Sequence, residues 1–190
     1  MSFVTNISGA VISFAEYTDE VQKDQRLFIE NELRIPAESG FLNTTDFVED
    51  MLQKSTQRIL LKIKASTWWQ AYNNYVGNII TNLSNLPNVD PSRIDPNNAL
   101  GRQQQFTDLC VYYCFKEYLL PLVSQFDVDS ADLAKIDYYN NKFNDLFTEL
   151  LSMADWYDAN DSGTVDADER AYSYMSTRRT RRRKSLVQVR

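Results

Sequence analysis

Between Asp158 and Glu169 the chain sets oxygen-bearing residues at alternate positions, the spacing that wraps one hard divalent cation. Asp158, Asn160 and Ser162 fall at positions 1, 3 and 5 of this stretch, the Thr164 carbonyl at 7, Asp166 at 9 and Glu169 at 12. Gly163 stands at position 6, where a chain wrapped round a single ion must turn sharply. Val165 offers an apolar anchor, and Asp161 and Asp168 add negative field without being expected ligands. The chemistry these residue types suit is oxygen coordination of Ca2+ as a structural cofactor. Because ligand charge tunes affinity, the neutral Asn160 and Ser162 place it in the weaker part of the range. The competing reading is an acidic, solvated turn between helices, since Asp, Asn, Ser and Gly also build turns.

The pattern resembles the calcium loop of an EF-hand, departing from it at position 5, where Ser162 replaces the usual Asp or Asn. No second loop accompanies it, because Asp127-Val128-Asp129 lacks the glycine. Its exit side is poor in apolar residues: Arg170 and Ser173 take positions where a helix needs them, leaving Tyr172, Tyr174 and Met175. An ion here is expected to pin a chain reversal, fixing the direction of the C-terminal residues, rather than to open a hydrophobic groove.

Those C-terminal residues form a basic arm, with Arg178, Arg179, Arg181, Arg182, Arg183 and Lys184 in close succession. The arm suits contact with nucleic-acid phosphates, a nuclear localisation signal, or docking on an acidic protein surface. The alternative is a solvated tail. Leu186-Val187-Gln188-Val189 alternates enough to add as a strand to a partner's edge. Residues 178–190 hold seven of the 20 basic groups and no acid, so residues 1–177 carry 13 basic groups against 26 acidic ones. An acidic body thus bears a cationic arm.

Catalysis by Ser-His or Cys-His pairs is excluded, because the chain has no histidine. No glycine-rich phosphate loop or Walker-type lysine motif is found, and no enzyme is expected. Cys110 and Cys114 lie four apart on a predicted helix, poorly aimed for a disulfide, and are expected as buried free thiols. No basic segment followed by an apolar run opens the chain, and the run Leu119 to Val123 is broken by Pro121, so neither a secretion signal nor a membrane span is expected.

The elements that position these residues read as helices. Ala10 to Phe14 is β-prone and suits a short strand or an extended arm. Thr18, followed by Asp19 and Glu20, marks a helix start, with a mostly polar helix to Leu33 closed by Pro36 and Gly40. The Asp46 to Glu49 spacing resembles a capping box. Phe47, Val48, Met51, Leu52, Ser55, Ile59 and Ile63 then predict an amphipathic helix to Lys64. Ser66 or Thr67 caps a second helix to Leu83, on which Trp68 and Trp69 read as core or subunit interface rather than a stacking site. Pro87, Pro91 and Pro96 mark a surface excursion, with Pro96 expected in the first turn of a third helix that Pro121 kinks or ends. Asp129 or Ser130 caps a fourth, whose stripe of Leu133, Ile136, Phe143, Leu146, Phe147, Leu150 and Leu151 leads towards Asp158. The fold class is all-α: a bundle of about four helices with an extended N-terminal segment and an extended C-terminal arm. The expected divisions are an N-terminal arm with a short helix (1–43), the helical bundle (44–155), and the loop with the arm (156–190).

Asp24 to Glu32, Phe47 to Leu52, Ser55 to Leu60 and Ala65 to Trp69, with the helix from Gln103 to Leu120, resemble in order and flavour the head-to-tail connector proteins of tailed bacteriophages, also called adaptor or neck proteins. The resemblance spans about residues 18–125 and rests on no invariant motif. It implies a structural virion subunit, assembled in host cytoplasm, forming a homo-oligomeric ring at the neck, usually a dodecamer. Its implied partners are the portal protein, into which the C-terminal arm reaches, a tail or second neck protein, and genomic DNA sliding through the channel without sequence-specific binding. An acidic body suits such a channel. The calcium loop is no part of that family's pattern. The competing functions are an EF-hand-like calcium-binding interaction protein and a nucleic-acid module led by the arm.

Overall fold

The computed structural model describes residues 3–29, 33, 35, 36, 39–69, 94–124, 131–158 and 162–165. Helices hold 67% of them, and the sheet found there has two strands. The chain packs as two compact units, one of residues 1–59 with 103–148 and one of residues 60–102 with 149–190.

In the first unit β1 (Val4–Thr5) pairs antiparallel with β2 (Val11–Ser13), so the β-prone stretch is a hairpin strand. Phe14 then enters the core. Its N–H donates to Thr56 Oγ1 at 3.0 Å, and its carbonyl accepts from Thr107 Oγ1 at 2.8 Å. Its ring lies 4.8 Å from Phe3 and 5.2 Å from Phe106, all three buried. Such rings supply both apolar area and edge-to-face packing.

The helix expected from Thr18 to Leu33 is instead two helices, α1 (Tyr17–Lys23) and α2 (Gln25–Ile29). Glu16 rather than Thr18 starts α1, its N–H donating to Asp19 Oδ2 at 3.0 Å. The break falls at Asp24 (φ −142°, ψ 81°), a residue type that competes with the helix for backbone geometry. Its carboxylate pairs with Lys135 at 2.7 Å, and beyond the break Leu27 is fully buried.

Helix α3 (Thr44–Lys64) follows the predicted stripe closely: Phe47, Val48, Leu52, Ser55, Ile59 and Ile63 are all buried. It begins two residues before Asp46, with the Asn43 carbonyl accepting Phe47 N–H at 3.2 Å. Helix α4 (Gln103–Cys114) buries Phe106, Leu109, Cys110, Tyr113 and Cys114. Pro121 does not end the rod. Residues Phe115–Leu119 widen into a π turn, in which Leu120 N–H reaches back five residues to Phe115 O, and α5 (Leu120–Val123) runs on through the proline. In α register the proline ring would press on the carbonyl four residues back.

Helix α6 (Ala131–Met153) buries Tyr139, Phe143 and Leu150. Lys116 lies across its face, 4.7 Å from the Phe143 ring centre and 3.0 Å from Asn140 Oδ1. No helix of the described residues is long and apolar enough to cross a membrane.

The second unit contains residues 67–69 in helical conformation, with Ser66 Oγ accepting Trp69 N–H at 3.3 Å as a cap does. Trp68, Trp69, Trp156 and Tyr157 form one aromatic cluster, the closest ring centres being Trp68 and Trp156 at 4.7 Å. Trp69 is therefore core, while Trp68 is half-buried beside it. Pro96 does not open the third helix; it stands in a separate 3₁₀ turn, Pro96–Asn98, capped by Asp95 Oδ1 at 2.8 Å from Asn97 N. The predicted helical stretch from 70 to 83, Pro87, Pro91 and the caps at Asp129 and Ser130 lie outside the described residues.

Candidate metal loop

The loop begins on a clamped segment. Helix α6 ends at Met153, and the left-handed φ of 51° at Ala154 turns the chain out of the helix. The next four residues are each held by the stretch from 95 to 102. Asp155 receives the Arg102 guanidinium on two oxygens, at 2.5 Å from Nε and 2.8 Å from Nη2. The carboxylate in turn raises the Arg102 pKa above its ordinary value. Trp156 O accepts Gly101 N–H at 3.0 Å, Tyr157 Oη accepts Asp95 N–H at 3.2 Å, and Asp158 N–H donates to Asn98 O at 2.8 Å. Gly101 is dictated by this approach: a Cβ there would stand 2.6 Å from Asp155 O and 2.8 Å from Trp156 Cα.

Asp158 is 1% exposed and folds its carboxylate back over the loop. Oδ2 accepts Gly163 N–H at 2.7 Å and Oδ1 accepts Ser162 N–H at 3.2 Å. Hydrogen bonds to a carboxylate are worth about 1.5–3 kcal/mol each, so these two help to hold the turn. Gly163 has φ +83°, the left-handed turn expected of position 6, with open space where a Cβ would go. Ser162 Oγ donates to Thr164 O at 2.9 Å, so two of the predicted ligand oxygens bond each other.

Of the predicted ligands, Asp158, Ser162 and Thr164 are brought to one turn, while Asn160, Asp166 and Glu169 lie outside the described residues, as do all six arm residues, Arg178, Arg179, Arg181, Arg182, Arg183 and Lys184. Among the described residues no group of three or more acidic or thiol side chains is placed to hold a metal. The turn fits a calcium loop in its glycine and in its first carboxylate, which keeps lone pairs free beyond the two it has committed. When bound, calcium would supply charge neutralisation and a fixed loop path.

Sequence reasoning missed a second group of interest, in the first unit. Glu20 of α1 is fully buried, and neither carboxyl oxygen has a hydrogen-bond partner. Burial pushes its pKa well above the usual carboxylate range; the Cys114 thiol beside it opposes the rise, and Asp19 adds to it. Cys110 and Cys114 are both buried and unbridged, as expected. Burial carries the Cys110 thiol up to about 12 and the Cys114 thiol well above its ordinary value. No local signal marks it, since the helix breaks at Asp24 between Glu20 and the next buried residue, Leu27.

No family model, no curated protein and no solved structure matches this chain, so its functional reading rests on the residues themselves.

Proposed function

We propose that the chain is a structural subunit of a ring-shaped head-to-tail connector of a tailed phage, its four-helix bundle making ring contacts and its basic arm docking on the portal. The observation that carries this reading is Ile7. It sits at the tip of the β1–β2 hairpin with its side chain entirely exposed. Asn6 Oδ1 holds the tip rigid by accepting Ser8 N–H at 3.0 Å, Ala10 N–H at 2.9 Å and Ser8 Oγ–H at 2.6 Å. The reading takes this braced apolar tip as one of the ring contacts, which Ile7→Asp would weaken. The acidic body supports the channel part of the reading, since like charge lets DNA pass without adhering. Light scattering and negative-stain imaging of the purified protein, alone and with its portal, test it. Rings are expected, with Ile7→Asp shifting the protein towards monomer. A monomer at all concentrations, together with native particles lacking a ring, refutes it.

A second reading, a calcium-binding interaction protein, is favoured by the Asp158 to Gly163 turn. It predicts a higher melting temperature in calcium than in chelator, lost in Asp158→Ala and in Glu169→Gln. Identical melting of the wild type in both conditions removes it.

A further inference from the structure

Residues 3–23 form a strap, fastened to α3 and α4 at a few places. Phe14 is bonded by its main chain to Thr56 of α3 and Thr107 of α4, and packs on Phe106. Lys23, at the end of α1, pairs with Asp108 of α4 at 2.7 Å. Between these fastenings stands Glu20, fully buried with both oxygens unbonded. A carboxyl tolerates such a place only while it is protonated, because an unpaired buried charge is far more costly than a neutral acid.

Its surroundings offer the ionised form one support, the Cys114 thiol, which burial outweighs. From α1 it meets Asp19, from α4 the thiols of Cys110 and Cys114, and from α6 the Tyr139 phenol, each neutral or anionic. From α3 come hydroxyls: Ser55 acts on Cys114, and Thr56 Oγ1 lies 3.4 Å from Cys110 Sγ. The nearest cation on the strap, Lys23, is already committed to Asp108.

We propose that the strap is a releasable element, seated on α3 and α4 while buried Glu20 keeps its proton and freed from them as that carboxyl gives the proton up to solvent. Burial disfavours ionisation inside the closed strap, so the proton leaves as the strap opens and the carboxylate becomes hydrated. The folded state holds a proton that the open state releases, so closure is strongest at acid pH and weakens as pH rises beyond the ordinary glutamate range. One proton changes the opening constant by up to about tenfold per pH unit.

Cys110 and Cys114 report on opening, since Ser13, Phe14 and Glu20 of the strap act on them directly. The full chain is labelled with a thiol-reactive pyridyl disulfide from pH 5 to pH 9, and each rate is divided by that of the denatured protein at the same pH. Protection should fall with rising pH in the wild type, approaching tenfold per unit, and should be flat in Glu20→Gln. Thr107→Val loosens the other fastening, so it should lower protection at every pH and leave the slope unchanged. Helical circular dichroism should hold constant meanwhile, because α1 has only seven residues. Flat protection in the wild type, an unchanged slope in Glu20→Gln, or helix loss in parallel with labelling each overturns the proposal.

Discussion

Replacing Gly101 by alanine tests the clamp beneath the candidate metal loop. The added methyl would stand 2.6 Å from Asp155 O and 2.8 Å from Trp156 Cα, and both are backbone atoms that no rotamer change can move aside. Relief requires the segment from 155 to 158 to shift, which lengthens the Gly101 N–H to Trp156 O bond now at 3.0 Å. Overpacking of this kind costs roughly 1–3 kcal/mol. Losing one hydrogen bond adds about 1 kcal/mol, for a total on the order of 2–4 kcal/mol. Gly163→Ala is the contrast. With open space around it but φ at +83°, it meets only the left-handed penalty of roughly 1–2 kcal/mol. Urea unfolding followed by tryptophan emission suits the comparison, since Trp68, Trp69 and Trp156 all belong to the second unit. The midpoint should fall in both variants, and further in Gly101→Ala. A Gly101→Ala protein within about 0.5 kcal/mol of wild type, the range of an inconsequential surface change, refutes the clamp.

Arg102→Lys keeps the charge but cannot make the two-pronged contact with Asp155, so it should lose roughly 1 kcal/mol in the same urea assay, with Arg102→Ala losing somewhat more. The pair is partly solvated, which holds the figure down. Cys110, carried by burial to about 12, is protonated throughout the neutral range. Iodoacetamide at pH 8 should therefore alkylate it at least about a thousandfold more slowly in the folded protein than in guanidinium, as mass spectrometry of the tryptic peptide would measure; comparable rates contradict its burial.

The long helices were readable because their apolar residues repeat at helical intervals. The stripe from Phe47 to Ile63 is buried almost residue for residue, and Phe143 and Leu150 keep their places on α6. Gly163 was readable for a local reason, a turn of fixed type at a fixed position. The break at Asp24 was not, because it depends on a partner, Lys135, far along the chain. The clamp on residues 155–158 was equally hidden: Arg102 and Asp155 stand 53 residues apart, and nothing near either names the other. Glu20 went unnoticed because an acid in the first turns of a helix ordinarily faces solvent and favours the helix dipole. Only the packing of α3 and α4 over it reverses that expectation.

The π turn at Phe115–Leu119 has a consequence for the phase of the helix beyond it. Each residue of an α-helix advances the side chains by about 100°, so one residue accommodated in a widened turn re-aims everything downstream by that angle. Deleting a single residue from this stretch should restore a uniform α ladder and leave Leu120, now buried, and Leu122, now exposed, facing as they do, because the wide turn absorbs the extra residue locally. The wide turn thus acts as a register correction. It lets the apolar faces of α4 and α5 meet the same core although their sequence spacing, taken as a straight helix, would carry them apart.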